Sequence, residues 1–122
     1  MSVQGLKSLV ARQPVGAMIN APDCMRAYSK GVFTDTPKCT CSEDFLGQPV
    51  VNHGVTIIGY GGLPGQTKGC SGYWIVKNSW GPLWGEAGFI RLCISDKVND
   101  NRLGICNIQS MPIVPDVGIP SI

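Results

Sequence analysis

Two residues of this 122-residue chain could together do acid–base work, one as the base and one as the group that orients it, and both sit in distinctive stretches. His53, the only histidine, lies in VVNHGVTIIGYG (Val50–Gly61). Asn78 lies in YWIVKNSWGPLWGEAGFIRL (Tyr73–Leu92). An imidazole can take the proton of a thiol, turning it into a thiolate nucleophile, and can later protonate a leaving amine. A side-chain amide oxygen can hold that imidazole in one orientation without adding a full negative charge. The remaining reactive inventory is six cysteines: Cys24, Cys39, Cys41, Cys70, Cys93 and Cys106.

The elements that must position His53 and Asn78 are short. Ser2 caps an expected helix whose apolar residues Val3, Leu6, Leu9 and Val10 recur at helical spacing, and Pro14 stops it. Val15 to Ile19 reads as a buried strand. From Asn20 to Gln48 the frequent Pro, Asp, Gly and Ser predict a long, turn-rich connection. Val50 to Tyr60 is the strongest strand candidate, being rich in β-branched residues, and Gly61, Gly62, Pro64 and Gly65 end it. Tyr73 to Asn78 and Gly88 to Ile94 follow as two strands joined by a Gly/Pro/Trp loop. Met111 to Val114 is a further short extended piece before Pro115, and residues 116–122 read as a loose terminus. The expected fold is therefore mainly β (α+β overall), with one short N-terminal helix followed by antiparallel strands in a single domain over 1–122.

Composition narrows the class. Hydrophobic residues at 43% and charged residues at 15% describe a folded globular unit. A net charge of +2, with scattered basic residues, gives no basis for a nucleic-acid or acidic-membrane partner. No run approaches the ~18 apolar residues that span a bilayer. An even number of cysteines favours disulfides in an oxidising compartment. The start, MSVQGLKSLVARQPV, does not read as a signal peptide, so a missing N-terminal part is expected. Cys39-Thr-Cys41 is too closely spaced for a usual zinc pair and no second close pair exists, so neither metal nor cofactor is expected.

Three motifs occur in order: His-Gly leading into an apolar strand that ends Gly-Tyr-Gly, then Tyr-Trp-Ile-Val-Lys-Asn-Ser-Trp-Gly, then Trp-Gly-Glu-Ala-Gly-Phe-Ile-Arg. Most of the chain, from the helix before Gln13-Pro14-Val15 to Pro115, resembles the right-hand, β-rich, barrel-like domain of papain-family (cathepsin L-like) cysteine peptidases. The resemblance implies that His53 is the base and later acid, that Asn78 orients it, and that Trp80 covers their hydrogen bond. The plainer alternative makes Trp80 and Trp84 core aromatics. It also implies that Met18, Val51, Gly54 and Met111 wall an apolar substrate pocket, against the alternative that both methionines fill gaps in the core. Asn52 stands where the family often has Asp.

The same resemblance pairs Cys106 with Cys39 or Cys41. Cys70 and Cys93 fall near one another if Asn78 lies opposite Gly88, and Cys24 could take the remaining member of the Cys39/Cys41 pair. Peptide or protein substrates, a nucleophile-bearing left-hand domain and cystatin-type inhibitors are the implied partners. A lysosomal, vacuolar or extracellular location is implied as well.

The family's Cys-Gly-Ser-Cys-Trp-type nucleophile motif is absent from the 122 residues. Gly69-Cys70-Ser71-Gly72-Tyr73 precedes a strand rather than opening a helix, and reads as structural. The expectation is therefore thiol-dependent peptide hydrolysis for which this chain supplies base and orienter only, without activity alone. The alternatives are a non-catalytic peptide- or inhibitor-binding module and a structural disulfide-rich domain with idle motifs.

Overall fold

The computed structural model describes residues 1–97 and 103–114. Pro115 and the expected loose terminus at 116–122 lie outside these. Ser2 opens helix α1 (Val3–Val10), its Oγ accepting from the Gly5 N–H at 3.0 Å. The helix buries Leu6 and Val10, which share one face. Strand β1 (Val15–Ile19) follows. After a 3₁₀ turn at Asp23–Ala27 come three two-residue strands: β2 (Val32–Phe33), β3 (Asp44–Phe45) and β4 (Gln48–Pro49). The long strands are β5 (His53–Gly61), β6 (Cys70–Lys77) and β7 (Phe89–Ser95). A second 3₁₀ turn (Ile105–Asn107) and β8 (Pro112–Ile113) complete the described fold.

Six strands form one sheet in the order β2-β7-β6-β5-β1-β8, while β3 and β4 pair separately as a hairpin. Two features depart from the barrel-like antiparallel expectation. The sheet is open, with β2 and β8 at its edges and no pairing that closes it among the described residues. The β2–β7 pair is parallel, and the chain between these two strands runs through β3 to β6 instead of turning back as a hairpin. That connection, expected to be turns alone, also contains a 3₁₀ turn and β2 to β4.

Alternation decides which face is core. Val15, Ala17 and Ile19 on β1, Val55 and Ile57 on β5, and Trp74 and Val76 on β6 all point inward. They meet Ile90 and Leu92 of β7, Leu6 of the helix, Met25 and Ile108. Gly72 adjoins a bulge in the β6–β7 ladder and is required where β6 runs close to the end of β5, since a Cβ there would lie 2.6 Å from the Gly61 carbonyl oxygen. Three disulfides join Cys24–Cys39, Cys41–Cys106 and Cys70–Cys93, so Cys106 takes Cys41 of its two expected partners. No cysteine remains free.

Candidate active site

β5 begins at His53 and β6 ends at Lys77, so antiparallel pairing brings both ends to the same side of the sheet. His53 Nε2 lies 2.7 Å from Asn78 Oδ1. The Ser79 backbone N–H donates to that same oxygen at 2.8 Å. A peptide N–H can only donate, so the shared atom is the amide oxygen, and the ring nitrogen facing it carries the proton. Nδ1 is then the basic nitrogen of a neutral His53. Asn78 is held in turn by its own N–H donating to the Gly88 carbonyl at 3.1 Å, which sets Asn78 opposite Gly88.

Trp80 stacks near the imidazole, with ring centroids 5.1 Å apart and planes inclined by 30°. Trp84 meets Trp80 edge-on at 5.1 Å and donates its indole N–H to the Met25 carbonyl at 3.2 Å. Trp80 therefore belongs to the His53 environment, and Trp84 braces it from the core side. The guanidinium of Arg26 lies 5.1 Å from the Trp80 ring. Sequence reasoning passed over Arg26, because nothing in a turn-rich segment marks which cation will reach an aromatic face.

Asn78 is only 7% exposed, and its Nδ2 has no hydrogen-bond partner among the described residues. It lines an open cleft of about 440 Å³ together with Met18, Gly54, Thr56, Lys77 and Ile113. Met18 and Gly54 are paired across β1 and β5, and a Cβ on residue 54 would lie 3.7 Å from the Met18 sulfur. These two of the expected pocket residues are brought together. Val51 and Met111 do not line the cleft, and Met111 is 49% exposed near the outer edge of the sheet.

The loop between β6 and β7 carries the third motif, and its residues act on backbone shape. Glu86 forms a two-pronged ion pair with Arg91, at 2.8 Å from Nε and 2.8 Å from Nη2. It also accepts from the Gly31 N–H at 3.1 Å. The Arg91 hydrogen bonds hold the Glu86 carboxyl at about 2, against an ordinary 4.5, with partial burial opposing them.

A family model described as "Papain family cysteine protease" matches residues 2–116. The chain belongs to the papain family of cysteine proteases. This papain-family chain is 41% identical over 108 residues to procathepsin L of Felis catus, covering 88% of itself and 29% of that protein. It is 41% identical over 111 residues to vignain of Phaseolus vulgaris, covering 90% of itself and 26% of that relative. Among solved structures, the bromelain protease of Ananas comosus in an inhibitor complex superimposes with a TM-score of 0.64 at 35% identity. That match covers 93% of this chain and 46% of the bromelain chain. The chain thus spans under a third of the curated relatives it matches. The part it shares with them is mainly sheet with one short helix, as in these papain-like neighbours.

Proposed function

We infer that this chain supplies the acid–base half of a papain-type peptidase site. His53 is the base and later acid, Asn78 its orienting partner, and Trp80 the shield over their hydrogen bond. The observation that carries this reading is the 2.7 Å contact between His53 Nε2 and Asn78 Oδ1 beneath the Trp80 ring. With Nε2–H engaged, Nδ1 is available to take a thiol proton, form the thiolate–imidazolium pair and return the proton to the leaving amine. A partly dry setting under an indole strengthens the orienting bond by excluding competing water.

These 122 residues contain no thiol that can act as nucleophile, since all six cysteines are in disulfides. The nucleophile and the oxyanion donors therefore come from a companion left-hand domain, and this chain alone does not hydrolyse peptides. Its apolar cleft, with Met18 and Gly54 side by side, supports a role as one wall of the substrate groove, to which Val51 and Met111 do not contribute a lining surface. An acceptor from the companion domain reaching Asn78 Nδ2 would remove the cost of that unpaired amide, about 1–3 kcal/mol. Three disulfides support a lysosomal, vacuolar or extracellular setting, where such bonds persist.

The test mixes the purified chain with a separately produced nucleophile-bearing half and a dipeptide-amide substrate. Thiol-dependent cleavage in the mixture only, abolished by His53→Ala, is expected. Cleavage by the chain alone would refute its inactivity. A stable complex of the two halves that turns nothing over would overturn the catalytic reading in favour of a peptide- or inhibitor-binding module.

A further inference from the structure

Arg26 is a cation held beside the site by an aromatic face alone. It lies in the 3₁₀ turn Asp23–Ala27, and its neighbours pin that turn. Cys24 is joined to Cys39, while Met25 is fully buried and its carbonyl accepts the Trp84 indole N–H at 3.2 Å. Arg26 itself is exposed, with its guanidinium over the Trp80 ring, 5.1 Å from the centroid. A cation–π contact engages the charge and leaves the N–H donors open. Among the described residues no carboxylate lies within ion-pair distance of Arg26, that of Asp23 in the same turn included. Arg91 is the contrast, since Glu86 engages its Nε and Nη2 donors.

Strand alternation decides which side of the site Arg26 occupies. His53 pairs with Ile19, which is buried in the core, whereas Gly54 pairs with Met18 on the wall of the cleft. The imidazole and the cleft therefore lie on opposite faces of β5, and Trp80 stacks beside the imidazole. In a peptide crossing His53, the companion domain's thiolate takes the carbonyl carbon and the imidazole protonates the nitrogen. The chain beyond that nitrogen, the part that leaves, departs on the Trp80 side. Two 5.1 Å steps through the Trp80 ring put the guanidinium at most about 10 Å from the imidazole. Extended peptide advances about 3.3–3.6 Å per residue, so the first three leaving residues come within its reach.

We propose that Arg26 is a specificity-determining residue that selects a carboxylate on the leaving side of the cleaved bond. A guanidinium presents a planar fork of donors that fits a carboxylate through two parallel bonds. Trp80 already restrains the side chain, so less rotamer freedom is lost when the carboxylate arrives. That carboxylate has two sources: an Asp or Glu side chain among the first three leaving residues, or the free C-terminus of a short leaving fragment. A pair as open to solvent as this one gives a preference of about fivefold. The preference belongs to KM, because the carboxylate is bound alike before and during bond breaking.

This role for Arg26 rests on the reading of the chain as half of a peptidase site, and two measurements separate the two. In the reconstituted enzyme, peptides identical up to the cut are compared in pairs. One set carries Glu or Gln at each of the first three leaving positions, with an amidated end. The other carries neutral leaving residues that end in a free carboxylate or an amide. The carboxylate member of at least one pair should be favoured about fivefold in kcat/KM, through KM, and the favoured pair identifies the source. The ratio should fall towards one in Arg26→Gln and in about 0.5 M salt. General disturbance of Trp80 acts on both members of a pair and cancels in the ratio. Lys77→Gln, on the cleft side, should keep the ratio. Equal ratios in wild type and Arg26→Gln would overturn the proposal, as would an equal loss in Lys77→Gln. Without any turnover, the full chain titrated with the leaving fragments alone is followed by the Trp80 indole and Arg26 side-chain NMR signals. Carboxylate fragments should shift them at about fivefold lower concentration than their neutral partners. No difference there would refute the role of Arg26 even in an active enzyme. A difference alongside a mixture that cleaves nothing would sink the peptidase reading alone and leave Arg26 as a carboxylate site.

Discussion

Asn78 carries two opposed costs at a single side chain. Its oxygen accepts from both His53 and Ser79, whereas its nitrogen is buried without a partner among the described residues. Truncation to alanine removes the useful contact and the unpaired donor together. For Asn78→Ala we therefore expect a stability loss below about 1 kcal/mol in urea denaturation, because relief of the unpaired group offsets the lost bonds. Activity of the reconstituted enzyme should nevertheless fall by about 10- to 100-fold, through misplacement of the imidazole. A large stability loss with activity retained would contradict this account. Beside it stands a ring stack, with the Trp80 ring 5.1 Å from the imidazole and both the Trp84 ring and the Arg26 guanidinium 5.1 Å from Trp80.

The β6–β7 hairpin is the element that delivers Asn78, and its turn is built from backbone shapes that few residues adopt. Gly85 has φ +59°, and a Cβ there would meet the Phe89 carbonyl oxygen at 2.6 Å. Gly85→Ala should cost about 2 kcal/mol or more in thermal or urea unfolding, by strain and by displacement of Phe89. The Glu86–Arg91 pair closes the same turn. Because the Glu86 carboxyl is held at about 2 in the folded chain against an ordinary 4.5, its contribution is fully present above about pH 4.5. It is lost as pH falls from there through about 2. Glu86→Gln should therefore destabilise the chain by about 1–2 kcal/mol at neutral pH, allowing for partial solvent exposure of the pair. The gap between wild type and variant should close on acidification across that window. A gap that stays constant down to pH 2 would show that the ion pair contributes nothing.

At the scale of the whole molecule, the Cys41–Cys106 crosslink joins the connection before β5 to the 3₁₀ turn after β7. It closes 65 residues, against 15 for Cys24–Cys39. Chain-entropy reasoning gives about 4 and about 3 kcal/mol respectively. Replacing both cysteines of the longer loop by serine should lower the urea midpoint more than the same change in the shorter loop, and the reverse order would exclude the entropic explanation. The helix, β1, β5, β6 and β7 were legible along the chain to within a few residues, because alternation and capping are local properties. So was the His53–Asn78 pair, since the motifs that hold it are contiguous stretches. Short strands β2 to β4 carry too few residues for any periodicity to register. The parallel β2–β7 pairing and the open sheet depend on where a crossover lands, which no local pattern encodes. Choosing Cys41 over Cys39 for Cys106 depended on distances between segments far apart in sequence. The protonated nitrogen of His53 and the Arg26–Trp80 contact were likewise decided only in three dimensions. Such contacts are fixed by which groups meet, and His53 and Asn78 meet across 25 residues of chain.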